Sequence, residues 1–308
     1  MAASVLFIQS DSNAHLGLFE DLKGSSDVEL MTYPSHSNTF RKVLTRVSPK
    51  LSFESLAAGI NDHYDRVVVV DTALARMDSA VLAKLEKLSD DIRVIVLNSM
   101  NASSPSFQGA KKLLGMFDHS KIYSFDPVDA ENYGYRFLGC SYYSKHFVKG
   151  APAEDDAYFI GGLKGSRESS IVELCETLSR GGLSCRFDCV SVKGGSVPLE
   201  LPDGMRVISN SWIPYSNILD RVARTQCVVE VLQQGQHAQS VRYFEAVSQN
   251  KNLLTNNPAI FDLPYYDPAH MFYFEDPQDV DCKALLSATL PNYEYAGDFS
   301  PLNLEVLK

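Results

Sequence analysis

Short apolar runs separated by polar turns recur along the chain, and their spacing predicts alternating strands and helices. Ser4-Val5-Leu6-Phe7-Ile8 is apolar and gives way to polar Gln9-Ser10-Asp11-Ser12, the pattern of a buried strand entering a loop. Arg66-Val67-Val68-Val69-Val70-Asp71 predicts a second strand, Ile92 to Leu97 a third and Lys121 to Phe125 a weaker fourth. Between them, Met77 to Leu88 places Val81, Leu82, Leu85 and Leu88 on one helical face. Strands that are apolar throughout and alternate with helices imply a parallel sheet covered on both faces.

The pattern then restarts. Gly150 to Asp156 is turn-rich and acidic and reads as a linker. Ala157-Tyr158-Phe159-Ile160 predicts a strand, Gly161-Gly162 a turn, and Ser166 to Arg180 a helix stopped by Gly181-Gly182. Strands at Ser184–Val190, Arg206–Ser209, Cys227–Leu232 and Asn252–Thr255 alternate with helices at Tyr215–Ala223 and Ser240–Ser248. The expected architecture is α/β, with two tandem doubly wound, Rossmann-like domains over residues 1–150 and 151–308. Two such sheets tend to take a ligand in a cleft between them, where strand carboxyl ends and helix N-termini converge. Pro291 to Lys308 has no clear period and reads either as a helix crossing back to the first domain or as a tail.

Charge narrows the partners. The 308 residues carry 28 basic and 38 acidic side chains, a formal net charge of −10. An acidic chain without basic runs is a poor nucleic-acid binder. The imbalance is in the second half, where 12 basic residues face 21 acidic ones, against 16 and 17 in residues 1–150. The six cysteines form no C-x-x-C pair, so a zinc site is not expected and buried free thiols are. No basic, apolar leader and no run of 18 apolar residues occurs, which reads as a cytoplasmic chain that does not span a membrane.

Two stretches could carry chemistry. In Gly161-Gly162-Leu163-Lys164-Gly165-Ser166-Arg167 a strand turns into a helix. Glycine backbone, a helix N-terminus and two cations there suit a phosphate. The spacing is not that of a P-loop, and a tight turn with two solvated cations is an equal reading. The second stretch, Gln233 to Ala246, sets Gln236 and His237 in a strand-exit loop, lets Ser240 cap a helix, and spaces Arg242 and Glu245 as a pair on one helical face. Glu245 could instead accept from ribose hydroxyls while Arg242 meets a phosphate. His237 and Asp11 are candidate general bases, each also readable as an ordinary loop residue. No Asp-x-Asp metal motif, no Gly-x-Ser-x-Gly elbow and no dinucleotide glycine fingerprint is present.

Four stretches resemble bacterial capsular and lipopolysaccharide biosynthesis glycosyltransferases of the GT-B architecture. They are Lys121–Ala130, Asp156–Gly161, Pro214–Leu219, and the run from Gln233 to Ala246 continued by Asn250-Lys251-Asn252-Leu253-Leu254-Thr255-Asn256-Asn257. The resemblance is clear over residues 120–275. It implies a hexosyltransferase-like enzyme that moves a sugar from a nucleoside diphosphate donor to a saccharide or lipid-linked saccharide acceptor. No metal or other cofactor is required, and membrane contact is at most peripheral. By position, Gly161, Gly162, Lys164 and Arg167 would meet the diphosphate, and Gln236, Ser240 and Arg242 would line the donor pocket. Glu245 resembles the second acid of the Glu-x7-Glu pattern of retaining members, but His237 stands where the first acid belongs. That departure leaves retention or inversion open. It also motivates two alternatives, a catalytically reduced binding or partner protein and a GT-B-shaped nucleotide-sugar epimerase.

Overall fold

The computed structural model describes residues 3–11, 17–34, 47–57, 60–97, 111, 113–139, 152–163, 167–191, 201–209, 213–233 and 235–308. The chain forms two compact units, Met1–Ser144 with Asp298–Lys308, and Lys145–Gly297. Each holds one six-stranded sheet in which every pairing is parallel.

The first unit contains β1 (Val5–Ser10), β2 (Val28–Tyr33), β3 (Arg66–Val70), β4 (Ile92–Val96), β5 (Ile122–Ser124) and β6 (Arg136–Phe137), in the order β2-β1-β3-β4-β5-β6. Its helices whose full span is described include α1 (Pro49–Ala57), α2 (Asp71–Leu74), α3 (Ser79–Leu88) and α4 (Pro127–Tyr133). Alternate residues of the central strands, Leu6, Ile8, Val67, Val69, Val94 and Val96, form one buried cluster with Val81, Leu82 and Leu85 of α3. Asp78 starts α3 because its side chain accepts from the Val81 amide. The last residues are neither a long helix nor a free tail. They form two single-turn 3-10 helices, Pro301–Asn303 and Glu305–Leu307, held where Arg66 Nη1 donates to the Leu307 carbonyl at 2.6 Å and Arg93 Nη1 to that of Val306 at 3.2 Å.

The second unit contains β7 (Asp155–Leu163), β8 (Cys185–Ser191), β9 (Met205–Ser209), β10 (Thr225–Glu230), β11 (Asn252–Thr255) and β12 (Met271–Tyr273), in the order β12-β11-β10-β7-β8-β9. Read from the β9 edge this is third, second, first, fourth, fifth, sixth, the strand order of dinucleotide-binding Rossmann sheets. Its helices are α5 (Glu168–Arg180), α6 (Tyr215–Ala223), α7 (Val241–Ser248) and α8 (Cys282–Ser287). α5 buries Ile171, Leu174, Cys175 and Leu178 against Ala157, Phe159, Phe187 and Cys189. The five described cysteines, at 175, 185, 189, 227 and 282, are all free thiols.

One sequence expectation is corrected. Gly161-Gly162 is not a turn, because β7 runs on to Leu163 with Gly161 opposite Cys189 and Gly162 opposite Val190. Continued pairing with β8 keeps the glycines in the sheet.

Candidate functional site

In an open parallel sheet a ligand crevice forms where successive connections leave in opposite directions. In the second sheet that point lies between β7 and β10, since β8 and β9 are laid down on one side of β7 and β10 on the other.

Arg167, the N-cap residue of α5, ties this point together. Its Nε donates to the Gly162 carbonyl and its Nη1 to the Val231 carbonyl, each at 3.0 Å. Those carbonyls stand at the ends of β7 and β10. Gly161 makes the room: a Cβ there would lie 2.8 Å from Phe159 Cζ and 3.4 Å from Arg167 Nη2. The glycine is required for close approach of a side chain rather than for a turn. Arg167 is half-buried and forms no ion pair with any described residue. Burial, together with the nearby charge of Arg242, lowers its pKa from the usual arginine value. A guanidinium stays charged even so.

Arg242 lies in the first turn of α7 and bonds through Nη1 to Glu245 Oε2. Glu245 has no exposed surface, and its Oε1 accepts from the Tyr215 hydroxyl at 2.8 Å. Burial raises its pKa against the pull of Arg242 and Tyr215. Of the two sequence readings of Glu245, the ion pair with Arg242 is the one present. The Glu245 oxygens are engaged by Arg242 and Tyr215, and it orients the arginine through the plain i,i+3 pair.

The loop from Val231 to Ser240 is fastened at both ends. Glu230, the last residue of β10, is buried and accepts from the Ser240 amide at 2.8 Å and the Thr255 hydroxyl at 2.5 Å. Burial raises its pKa, with the Thr255 and Ser240 bonds opposing. Ser240 caps α7, its Oγ accepting from the Arg242 amide at 3.2 Å, as its position in sequence predicts. At the other end the Leu232 amide donates to Asn256 Oδ1 at 2.7 Å. Gly235, at φ 79°, adopts the left-handed backbone within the loop, and the Gln236 amide donates to Gln233 O at 3.0 Å.

Gly161, Gly162, Arg167, Gln236, Ser240, Arg242 and Glu245 thus all belong to β7, β10 and the segments that follow them. Lys164 lies outside the described residues. His237 is exposed on the loop. Asp11 belongs to the other unit, directly after β1. There the corresponding point between β1 and β3 carries Ser10, whose hydroxyl donates to that of Thr72 at 2.9 Å, and buried Asp71.

Sequence reasoning passed over Glu230 and Tyr215. A lone carboxylate closing an apolar strand was the available signal for the first. The second needed the 30-residue span from Tyr215 to Glu245, which no local pattern displays. Among the described residues no three His, Cys, Asp or Glu side chains converge as metal ligands. Nor is any described helix long and apolar enough to cross a membrane.

No protein-family profile matches the chain, and no curated protein does. Solved structures do. AviGT4, a glycosyltransferase involved in avilamycin A biosynthesis, aligns with a TM-score of 0.53 at 11% identity over 93% of this chain and 89% of that one. An α-glucosyltransferase in complex with UDP and a 13-mer DNA aligns at 0.52 with 10% identity, covering 83% and 80%. A Listeria monocytogenes protein named for UDP-N-acetylglucosamine 2-epimerase activity aligns at 0.50 with 10% identity, covering 97% and 94%. At this identity the likeness is one of fold, and the fold of this chain is GT-B, with two Rossmann-like domains.

Proposed function

We propose that the protein is a glycosyltransferase whose second unit holds a nucleoside diphosphate sugar at the ends of β7 and β10. The observation that carries this reading is Arg167, a half-buried cation without a carboxylate partner among the described residues, at the point of the sheet where ligands bind. A buried charge needs a counter-ion, and the diphosphate supplies one. The glycosyltransferase structures that share the fold support the same class of reaction.

In the proposed reaction the bond from the sugar anomeric carbon to the diphosphate breaks. The electron pair leaves with the diphosphate, and an acceptor hydroxyl attacks the same carbon while losing its proton to a base. The sugar passes through an oxocarbenium-like state as negative charge grows on the leaving group. Arg167 and Arg242 stabilise that charge in place of a metal, and Lys164 adds to them. Glu245 and Tyr215 keep Arg242 aimed, and Glu230 keeps the Gln236 loop and the α7 N-terminus in place. The base is Asp11, His237 or the leaving phosphate. The acceptor is a saccharide or lipid-linked saccharide of a cell-surface polysaccharide, bound by the first unit. The net charge of −10 disfavours a polyanionic acceptor such as DNA.

The likeness to the 2-epimerase structure, which spans 97% of this chain, motivates a second reading in which the donor is isomerised. Incubation with a panel of UDP- and GDP-sugars separates the readings. Slow release of nucleoside diphosphate, accelerated by an acceptor, is expected. Isomerised donor without acceptor would replace the first reading by the second, binding without turnover would leave only a binding protein, and no binding at millimolar concentration would defeat all three.

A further inference from the structure

A doubly wound sheet is ordinarily apolar on both faces. In the second unit the face turned away from α5 is apolar at Ile160, Val228 and Leu253 but not at its β8–β9 end. β8 alternates Phe187 and Cys189, buried with α5, with Arg186 and Asp188 on the opposite face. In register, Tyr158 lies beside Arg186, and Asp188 beside Arg206. These side chains and α6 line an open groove of about 590 Å3 that Glu154, Arg221 and Arg224 also line. Four of the 12 basic residues of the acidic second half meet here. Glu154 and Arg224 immediately precede β7 and β10, so this end of the groove is a strand length from Gly162 and Val231.

The arginines are held in pairs. Buried Asp188 accepts from Nε and Nη2 of Arg206, the latter at 2.9 Å, from Arg186 Nε at 3.5 Å, and from the Tyr158 hydroxyl at 3.3 Å. Glu154 accepts from Arg221 Nη1 at 2.8 Å and Arg224 Nη1 at 2.9 Å. Each carboxylate neutralises one of its two guanidinium groups and leaves one positive charge over. Exposed Asp220 offsets part of that surplus. Asp155, close by, is pushed toward its neutral form by burial. Five donor groups have no acceptor among the described residues: Arg206 Nη1, both Nη of Arg186, and Nη2 of Arg221 and Arg224.

We infer that this groove binds the phosphoryl group of a small phosphorylated ligand, at a site separate from the β7–β10 crevice. Four guanidinium groups against the carboxylates of Glu154, Asp188 and Asp220 leave the lining positive, which suits a phosphomonoester, an anion of about −1.5 to −2 near neutral pH. Guanidinium forks fit its oxygens pairwise. The volume lies in the range of small-molecule sites, roughly 300–1,000 Å3. The inference does not depend on the proposed transferase activity.

The test is arginine side-chain NMR of the full chain titrated with inorganic phosphate, with chloride at matched ionic strength as control. The Nε–H signals of Arg186 and Arg206 are expected to shift saturably with phosphate alone. In the double variant Arg221→Gln/Arg224→Gln the midpoint should rise at least about tenfold, the loss of one or two charge-assisted bonds, with the unfolding temperature without phosphate unchanged. Equal shifts in chloride, an unaltered midpoint in the variant, or movement confined to Arg167 would overturn the inference. A parallel sedimentation arm uses phosphatidylcholine vesicles with and without phosphatidate. Phosphatidate-dependent retention that the double variant loses identifies a lipid headgroup as the source. Phosphate titration without retention identifies a soluble metabolite.

Discussion

The two sheets open their ligand crevices at equivalent points, beside the first strand of each, and furnish them oppositely. Between β1 and β3 stand the Ser10–Thr72 hydroxyl pair and the carboxyl of Asp71. Between β7 and β10 stand Arg167 and, near enough for its charge to be felt, Arg242. A shared backbone arrangement therefore does not fix what binds, because the side chains at the strand ends decide the sign of the ligand. The second crevice suits an anion. The first is furnished with hydroxyls and a carboxyl instead.

The contrast breaks most readily at Arg167. Arg167→Gln is expected to weaken UDP or GDP binding about tenfold to a hundredfold by calorimetry, the worth of one charge-assisted hydrogen-bonding group, roughly 1.5–3 kcal/mol. Arg167→Lys should fall between, keeping the charge and losing the fork that spans two carbonyls. Ser10→Ala and Thr72→Ala should leave the same affinity within about twofold. Equal losses from both crevices would erase the comparison.

Gly161→Ala comes next. Its added Cβ meets Phe159 and crowds Arg167, so urea unfolding should show a loss of about 1–3 kcal/mol, accompanied by weaker nucleotide binding. Gly134→Ala in the first unit is the control. It strains a left-handed helix end at φ 66° by about 1 kcal/mol and should not alter nucleotide affinity. Tyr215→Phe removes one of the bonds to buried Glu245 and should lower stability by roughly 1–3 kcal/mol, with a smaller effect on binding.

The smallest effect is the pH dependence of Glu230. Its pKa is raised on folding, so its contribution is fully present below the unfolded value near 4.5 and is lost as pH rises through the folded one. Glu230→Gln, which has no charge to bury, should gain in melting temperature relative to the parent as pH goes from 5 to 8. A difference independent of pH would show that Glu230 is not desolvated.

Much of this was legible in sequence because buried parallel strands are apolar on both faces. β1, β3, β4, β10 and β11 announce themselves, as do α3 and α6. The strands that escaped notice are edge strands. β2 mixes Glu29 and Thr32 with apolar residues because much of it is half-exposed, β6 is two exposed residues, and β12 only three residues long. α4 carried its signals, Asp126 as cap, Pro127 in the first turn and Gly134 beyond the end. At the site the residue types were readable and their bonding was not. Arg167 reaches a carbonyl 64 positions away, and Glu230 a hydroxyl 25 away, across strands that only the finished sheet makes neighbours. Glu245 was offered both as an ion-pair partner and as a ribose ligand. The ion pair with Arg242 is formed.

The most direct measurement is a crystal structure of the full chain with a bound nucleoside diphosphate. The expected result places diphosphate oxygens within hydrogen-bonding distance of Arg167 Nη2, with Arg242 on the same group. An ordered diphosphate seated beside Ser10 and Thr72 instead, or away from the ends of β7 and β10 altogether, would contradict the account.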